Sequence, residues 1–116
     1  MATTSAPDLR TSPPRSGKET LGRYAWLARL ADKARAEAAG TNGDYVAYCP
    51  MSMGFLQRVG VSEDDFGRLI QEGASDEALI NYFDRHVSDE QREKANAFIL
   101  EERRGHIEEQ DREEGR

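Results

Sequence analysis

The sequence is poor in the residues that most often announce chemistry. It has a single cysteine, Cys49, so no disulfide can close within the chain, and a lone free thiol fits a reducing, cytoplasmic setting. Its two histidines, His86 and His106, are far apart, and no HExxH, CxxC or EF-hand spacing is present. No metal and no cofactor are therefore expected. A glycine-rich phosphate loop and a Ser-His-Asp ordering are missing too, so no catalytic residue can be assigned from a motif. No apolar run is long enough to cross a membrane, and the first residues lack the apolar core of a leader, so no membrane partner is expected. Positive charge is in deficit as well. The net charge of −6 repels phosphate backbones and disfavours nucleic acid as a partner. Much of the negative charge sits in the last stretch, so a local basic face remains open. No internal repeat is visible.

What is present points to one helical domain. Charged residues reach 33% against 37% apolar, which is high for a chain of 116 residues and implies that part of it carries no core. Residues 1–8 read as a disordered arm, with Leu9 to Pro14 as an extended lead-in. Glu101 to Arg116 (EERRGHIEEQDREEGR) holds one large apolar residue, Ile107, and reads as a charged tail, flexible or helical. The folded domain is expected over 9–100.

Helix signals recur inside it. Ser16 and Glu19 have capping-box spacing, and the Ala-rich segment Leu21 to Ala39 follows. Tyr24, Leu27, Leu30, Ala31, Ala34 and Ala38 fall on one stripe of a helix that Gly40 would end. Asn42-Gly43-Asp44 predicts a turn, and Tyr45 to Cys49 an extended piece or an irregular connector. A short helix starting at Cys49 or Ser52 carries Phe55, Leu56 and Val59 and stops at Gly60. Ser62 opens a helix with Phe66, Leu69 and Ile70 inside, ended by Gly73. Ser75 opens another around Leu79, Ile80, Tyr82 and Phe83. Ser88 and Gln91 form a capping box for the last helix, with Ala95, Phe98 and Ile99. The expected fold is all-α: four to five short helices in an orthogonal bundle, with an extended connector at 42–51.

The connector and the helix before it hold the candidate site. Arg35 sits at the edge of the apolar stripe. The short turn 40–44 is expected to bring the chain back over it, so that Arg35 bonds Asp44, the 44–50 backbone, or Tyr45 or Tyr48. Arg29 and Lys33 fall on the polar side of the same helix, where Arg29 can pair with Asp32; the plainer reading is a solvated face. Tyr45 can stack on a ligand or plug a core edge. Cys49 precedes Pro50 at a helix start, where a thiol is activated, and His86 is a conceivable partner; the plainer reading is a small buried hydrophobe. Arg29, Lys33, Arg35, Tyr45 and Cys49 are thus the candidate ligand-binding residues. The ligand that suits them is a small anion. A protein partner is the other occupant considered.

Several of these residues stand in a pattern. Pro13-Pro14-Arg15-Ser16, Leu21-Gly22-x-Tyr24, Leu27 to Ala36 (LARLADKARA), Gly43-Asp44-Tyr45, Cys49-Pro50, Phe55-Leu56 and Gly60-Val61 together resemble the bacterial domain of unknown function 5069 family, from about Leu9 to Phe83. Two positions depart from it. Ala28 stands where the family has proline, and Met51-Ser52 where it has Leu-Asp. If that aspartate caps a helix, Ser52 is an adequate replacement. The resemblance implies domain boundaries and motif positions but no reaction. The reading favours a non-catalytic ligand-binding or interaction module of the cytoplasm. The alternative is a small enzyme using Cys49 as a reactive thiol.

Overall fold

The computed structural model describes residues 5–116; the first four positions of the arm expected at 1–8 lie outside the described residues. The chain is mostly α-helical, as expected. After an extended entry come two short strands, β1 (Thr20–Leu21) and β2 (Tyr24–Ala25). Six helices follow: α1 (Leu27–Ala39), α2 (Pro50–Val59), α3 (Glu63–Gln71), α4 (Asp76–His86), α5 (Asp89–Ala97) and α6 (Arg104–Glu113). A π-helical turn, Phe98–Glu102, joins α5 to α6.

The serine signals are realised as caps. Ser62, Ser75 and Ser88 sit in extended backbone, and their hydroxyls accept the N–H of Asp65, Ala78 and Gln91. Gln91 returns the bond to Ser88, completing the capping box. Acidic residues fill the first turn of each of these helices, where the macrodipole favours them. Gly40 and Gly60 close α1 and α2 in the left-handed conformation.

The helix expected from Leu21 begins six residues later. Residues 20–25 instead make an antiparallel ribbon, pairing Thr20 with Ala25 and Leu21 with Tyr24. Gly22, at φ 61, supplies the tight turn. Asn96 of α5 clamps the ribbon: its Oδ1 accepts the Ala25 N–H at 3.0 Å, and its Nδ2 donates to the Arg23 carbonyl at 2.9 Å. Ser16 accordingly caps no helix; its hydroxyl accepts the Lys18 N–H and donates to Asp111. The stripe is corrected at both ends: Tyr24 is buried from β2, and Ala38 is exposed.

Trp26 links ribbon to helix. It is the one described non-glycine residue at positive φ (72). Its backbone N–H donates to the Gly17 carbonyl at 3.0 Å, and its indole packs against Gly17. A Cβ at position 17 would lie 2.7 Å from the indole, so only glycine admits this contact. The aromatic core centres on Phe83, with Tyr24 at 5.3 Å edge-on and Phe55 and Phe66 each at 6.2 Å.

Residues 41–49 form an irregular connector without strand pairing, and α2 takes positions 50 and 51. Residues 101–116 hold the end of the π turn and α6, whose Ile107 is 1% exposed in the core. At the other end, Leu9 donates its N–H to Thr41 at 2.8 Å, strapping the entry segment across the end of α1.

Candidate functional site

Two residues of α1 separated by one turn, Arg29 and Lys33, form the floor of a pocket of about 720 Å³. The connector supplies a second wall with Tyr45, Val46 and Cys49. The π turn and α6 supply the third, with Phe98, Arg103, His106, Gln110 and Glu114. A pocket of this size is typical of a small-molecule site.

Arg29 is only 2% exposed and corrects the expectation of a solvated face. Its two terminal nitrogens grip Glu114 at 2.9 and 2.7 Å, and one also donates to the Arg15 carbonyl at 3.2 Å. The guanidinium lies between the rings of Trp26 and Tyr45, 5.6 and 5.8 Å from their centroids. The Tyr45 hydroxyl donates to the same carboxylate at 3.0 Å. Burial raises the Glu114 pKa, but the hydrogen bond and charge of Arg29, then the Tyr45 hydroxyl, outweigh it and hold the carboxyl below its ordinary value. Burial, then the bond to Glu114, raises the Tyr45 pKa. The Arg29–Asp32 pair does not form. Asp32 accepts instead from Arg15, at 2.9 to 3.1 Å. Among the described residues, one donor of the buried guanidinium, Nε, has no partner, and neither has Oε1 of Gln110.

Lys33 is 3% exposed, a second correction to the solvated face. The causes differ: Glu114, just after α6, covers Arg29, whereas Lys33 is enclosed by Cys49 of the connector and Trp26. Among the described residues Lys33 pairs with no carboxylate. Its ammonium stands 3.5 Å from the Cys49 sulfur and 5.2 Å from the Trp26 ring centroid. Burial pulls its pKa down, which the nearby sulfur offsets only in part.

Cys49 is half-buried and is the N-cap of α2, with Pro50 in the first helical position. Ser52 does not cap the helix. Its hydroxyl is fully buried, accepts the Trp26 indole N–H at 3.0 Å and lies 3.5 Å from the Cys49 sulfur. An indole N–H only donates, so the serine oxygen accepts there, and the acceptor left within reach of its proton is the sulfur. Burial pushes the thiol pKa up, but the Ser52 bond and the Lys33 charge outweigh it, leaving the thiol below its ordinary value. The group nearest to a counter-charge for Lys33 is this sulfur.

Arg35 is outside the pocket. It donates to Asp76 at 2.8 Å and to the Ala74 carbonyl at 2.9 Å, both at the entry to α4. The expected contact with the connector fails on angular grounds. At about 100° per residue, Arg35 is roughly 200° around the helix from Lys33, whereas Arg29 and Lys33 differ by about 40°. The connector returns over the 29/33 face, where Glu37 accepts the Ala47 N–H at 3.1 Å. Tyr48 points elsewhere, packing edge-on against Phe66, and burial raises its pKa to about 12. His86 stacks on Tyr82 at the surface, 4.1 Å between centroids; His106 is the histidine that lines the pocket.

The structure thus gathers four of the candidate residues, Arg29, Lys33, Tyr45 and Cys49, on one cavity. It adds Ser52 and Trp26 beneath them and the α6 wall opposite. That wall was signalled by spacing: Arg103, His106, Gln110 and Glu113 recur at intervals of three, four and three, one helical face. Among the described residues no cluster of metal-ligating side chains converges, and no helix is long and apolar enough to cross a membrane.

No curated protein matches the chain. A family model described as "Domain of unknown function (DUF5069)" matches residues 11–115, past the expected end near Phe83 and through α6. That match covers the ribbon, every helix and all three walls of the pocket, and this chain belongs to the DUF5069 family.

Proposed function

We propose that this chain is a ligand-binding module whose pocket receives the carboxylate or phosphate group of a small molecule beside Lys33. One observation carries the reading: a lysine buried to 3% exposure in the pocket floor, with no carboxylate partner among the described residues. Burying an unpaired charge is costly, so such a group is retained where an incoming anion offsets the cost. The neighbouring Arg29 is already neutralised by Glu114, which leaves the floor with one positive charge in excess. Arg103 and His106 at the rim add donors. No set of groups here completes a catalytic constellation for hydrolysis or phosphoryl transfer, and a module that binds without turnover is the simpler reading. A free thiol in a site of this kind suits the reducing cytoplasm.

The test is thermal unfolding with inorganic phosphate or acetate at constant ionic strength, using the wild type and Lys33→Met. The wild type should gain stability as the anion concentration passes its dissociation constant, and Lys33→Met should gain none. Equal responses of the two chains, or no response of the wild type to either anion, would reject the reading.

A further inference from the structure

The same floor carries chemistry that anion binding alone does not use. We propose that Cys49 is a covalent capture site for small disulfides that bear a carboxylate, which the chain holds as a mixed disulfide in this pocket. The proposal rests on the anion-binding reading of Lys33.

Geometry carries the first half. Cys49 sits at the N-cap of α2, where the helix dipole favours a negative sulfur. Ser52, its oxygen engaged by the Trp26 indole, aims its proton at the sulfur from 3.5 Å. The Lys33 ammonium approaches from another side at 3.5 Å. Both donors are on buried side chains, and each is fixed by Trp26: one by a hydrogen bond, the other by a cation–π contact at 5.2 Å. A structural cysteine serving as a small hydrophobe needs no such pair of donors. The other charged groups on this pocket are the Arg29–Glu114 pair on the floor and, at the rim, Arg103 and His106 with the acidic Asp44 and Glu113.

Charge balance carries the second half. In the free protein the thiolate is the nearest counter-charge to Lys33. The thiolate attacks one sulfur of the disulfide; a new S–S bond forms, the old one breaks, and the second half leaves as a thiolate with the bonding pair. No oxidant or metal is needed. The sulfur is then neutral, and the negative group left near Lys33 is Glu114, already paired with Arg29. A carboxylate on the captured half restores a counter-charge; an ammonium there opposes a second positive charge. Captured carboxylates are therefore held in preference to neutral or cationic groups. The chain has no second cysteine to displace the captured half, so the adduct persists until an external thiol removes it.

The experiment follows adduct formation by intact mass with three symmetric disulfides: dithiodipropionate, hydroxyethyl disulfide and cystamine. Cys49→Ser serves as the blank. At about pH 6.5 the neutral disulfide should react about tenfold faster with the protein than with N-acetylcysteine, because more of the sulfur is ionised. Against its own reduced thiol, the carboxylate adduct should form with an equilibrium constant at least about tenfold above that of the ammonium adduct. Lys33→Met should level the three adducts, and Lys33→Arg should keep the order. If Lys33→Met does not fold, the order among the adducts of the wild type decides. A neutral disulfide that reacts no faster than with N-acetylcysteine overturns the capture site. Fast reaction without carboxylate preference overturns it as a selective one. Failure of the anion reading is read separately, from phosphate-dependent melting of Cys49→Ser, in which Lys33 has lost the sulfur and should bind phosphate more tightly than in the wild type.

Discussion

Ser52 shows how much one buried hydroxyl can organise. It accepts from an indole that sits at positive φ and is fully enclosed, and it faces the only thiol. Replacing it by alanine strands the Trp26 indole N–H, which has no other acceptor among the described residues, at a cost of about 1–3 kcal/mol. The same change removes the hydrogen bond that ranks first among the influences lowering the Cys49 pKa. We predict that Ser52→Ala lowers the unfolding free energy by that amount in denaturant titration and raises the thiol pKa in a thiolate absorbance titration. A stability loss with an unmoved thiol would show that Ser52 serves the indole alone. Position 52 was legible in the sequence as a helix-cap candidate. Its inward role was not, because nothing local says that the indole of Trp26, reached only through the fold, ends beside it.

At the level of elements, the helices opened by serine were readable because a cap is a local bargain between one side chain and the next three amides. The start of α1 was not. Residues 21–26 have the propensity to continue the helix, and propensity is overridden by contacts from elsewhere: the Gly17 carbonyl, the Asn96 clamp and the turn at Gly22. The largest revision is α6. Its charge suggested solvent, but Ile107 anchors it in the core while His106, Gln110 and Glu113 line one side of the pocket. The π turn before it directs Phe98 and Arg103 towards that pocket, and such turns are frequent at functional sites. Ile107→Ala should cost about 2–4 kcal/mol in equilibrium unfolding, the range for truncating a buried isoleucine. A solvated tail would lose no more than about 0.5 kcal/mol. The loss should be accompanied by weaker phosphate-dependent stabilisation, since α6 positions the Glu114 that follows it, which holds Arg29 in the floor.

Across the whole molecule, ion pairs tie the two ends of the chain to α1. Arg15 of the entry segment reaches Asp32 and Asp76, each at 3.0 Å, and Asp76 also takes Arg35 at 2.8 Å. At the other end Glu114 holds Arg29 and also contacts Arg116, whose guanidinium bonds the Pro14 carbonyl. Burial raises the pKa of Asp76 and of Glu114, yet their arginine partners outweigh it and leave both below their ordinary values. The sign follows from proton counting. In mild acid the unfolded chain binds protons at these carboxyls before the folded chain does, so stability falls as pH falls. Their contribution is fully present above the unfolded values and is lost as pH drops through the depressed folded ones. The melting temperature should therefore decline on acidification below about pH 4.5. Glu114→Gln and Asp76→Asn should each flatten part of that decline while lowering stability at neutral pH. The Glu114 part should resist added salt more, because its pair is enclosed, with side-chain exposures of 2% and 8% against 39% for Asp76. Melting curves of the two variants and the wild type between acid and neutral pH, at low and high salt, check this. If Glu114→Gln leaves the acid slope unchanged, the Arg29–Glu114 pair is not what couples the last helix to the floor of the pocket.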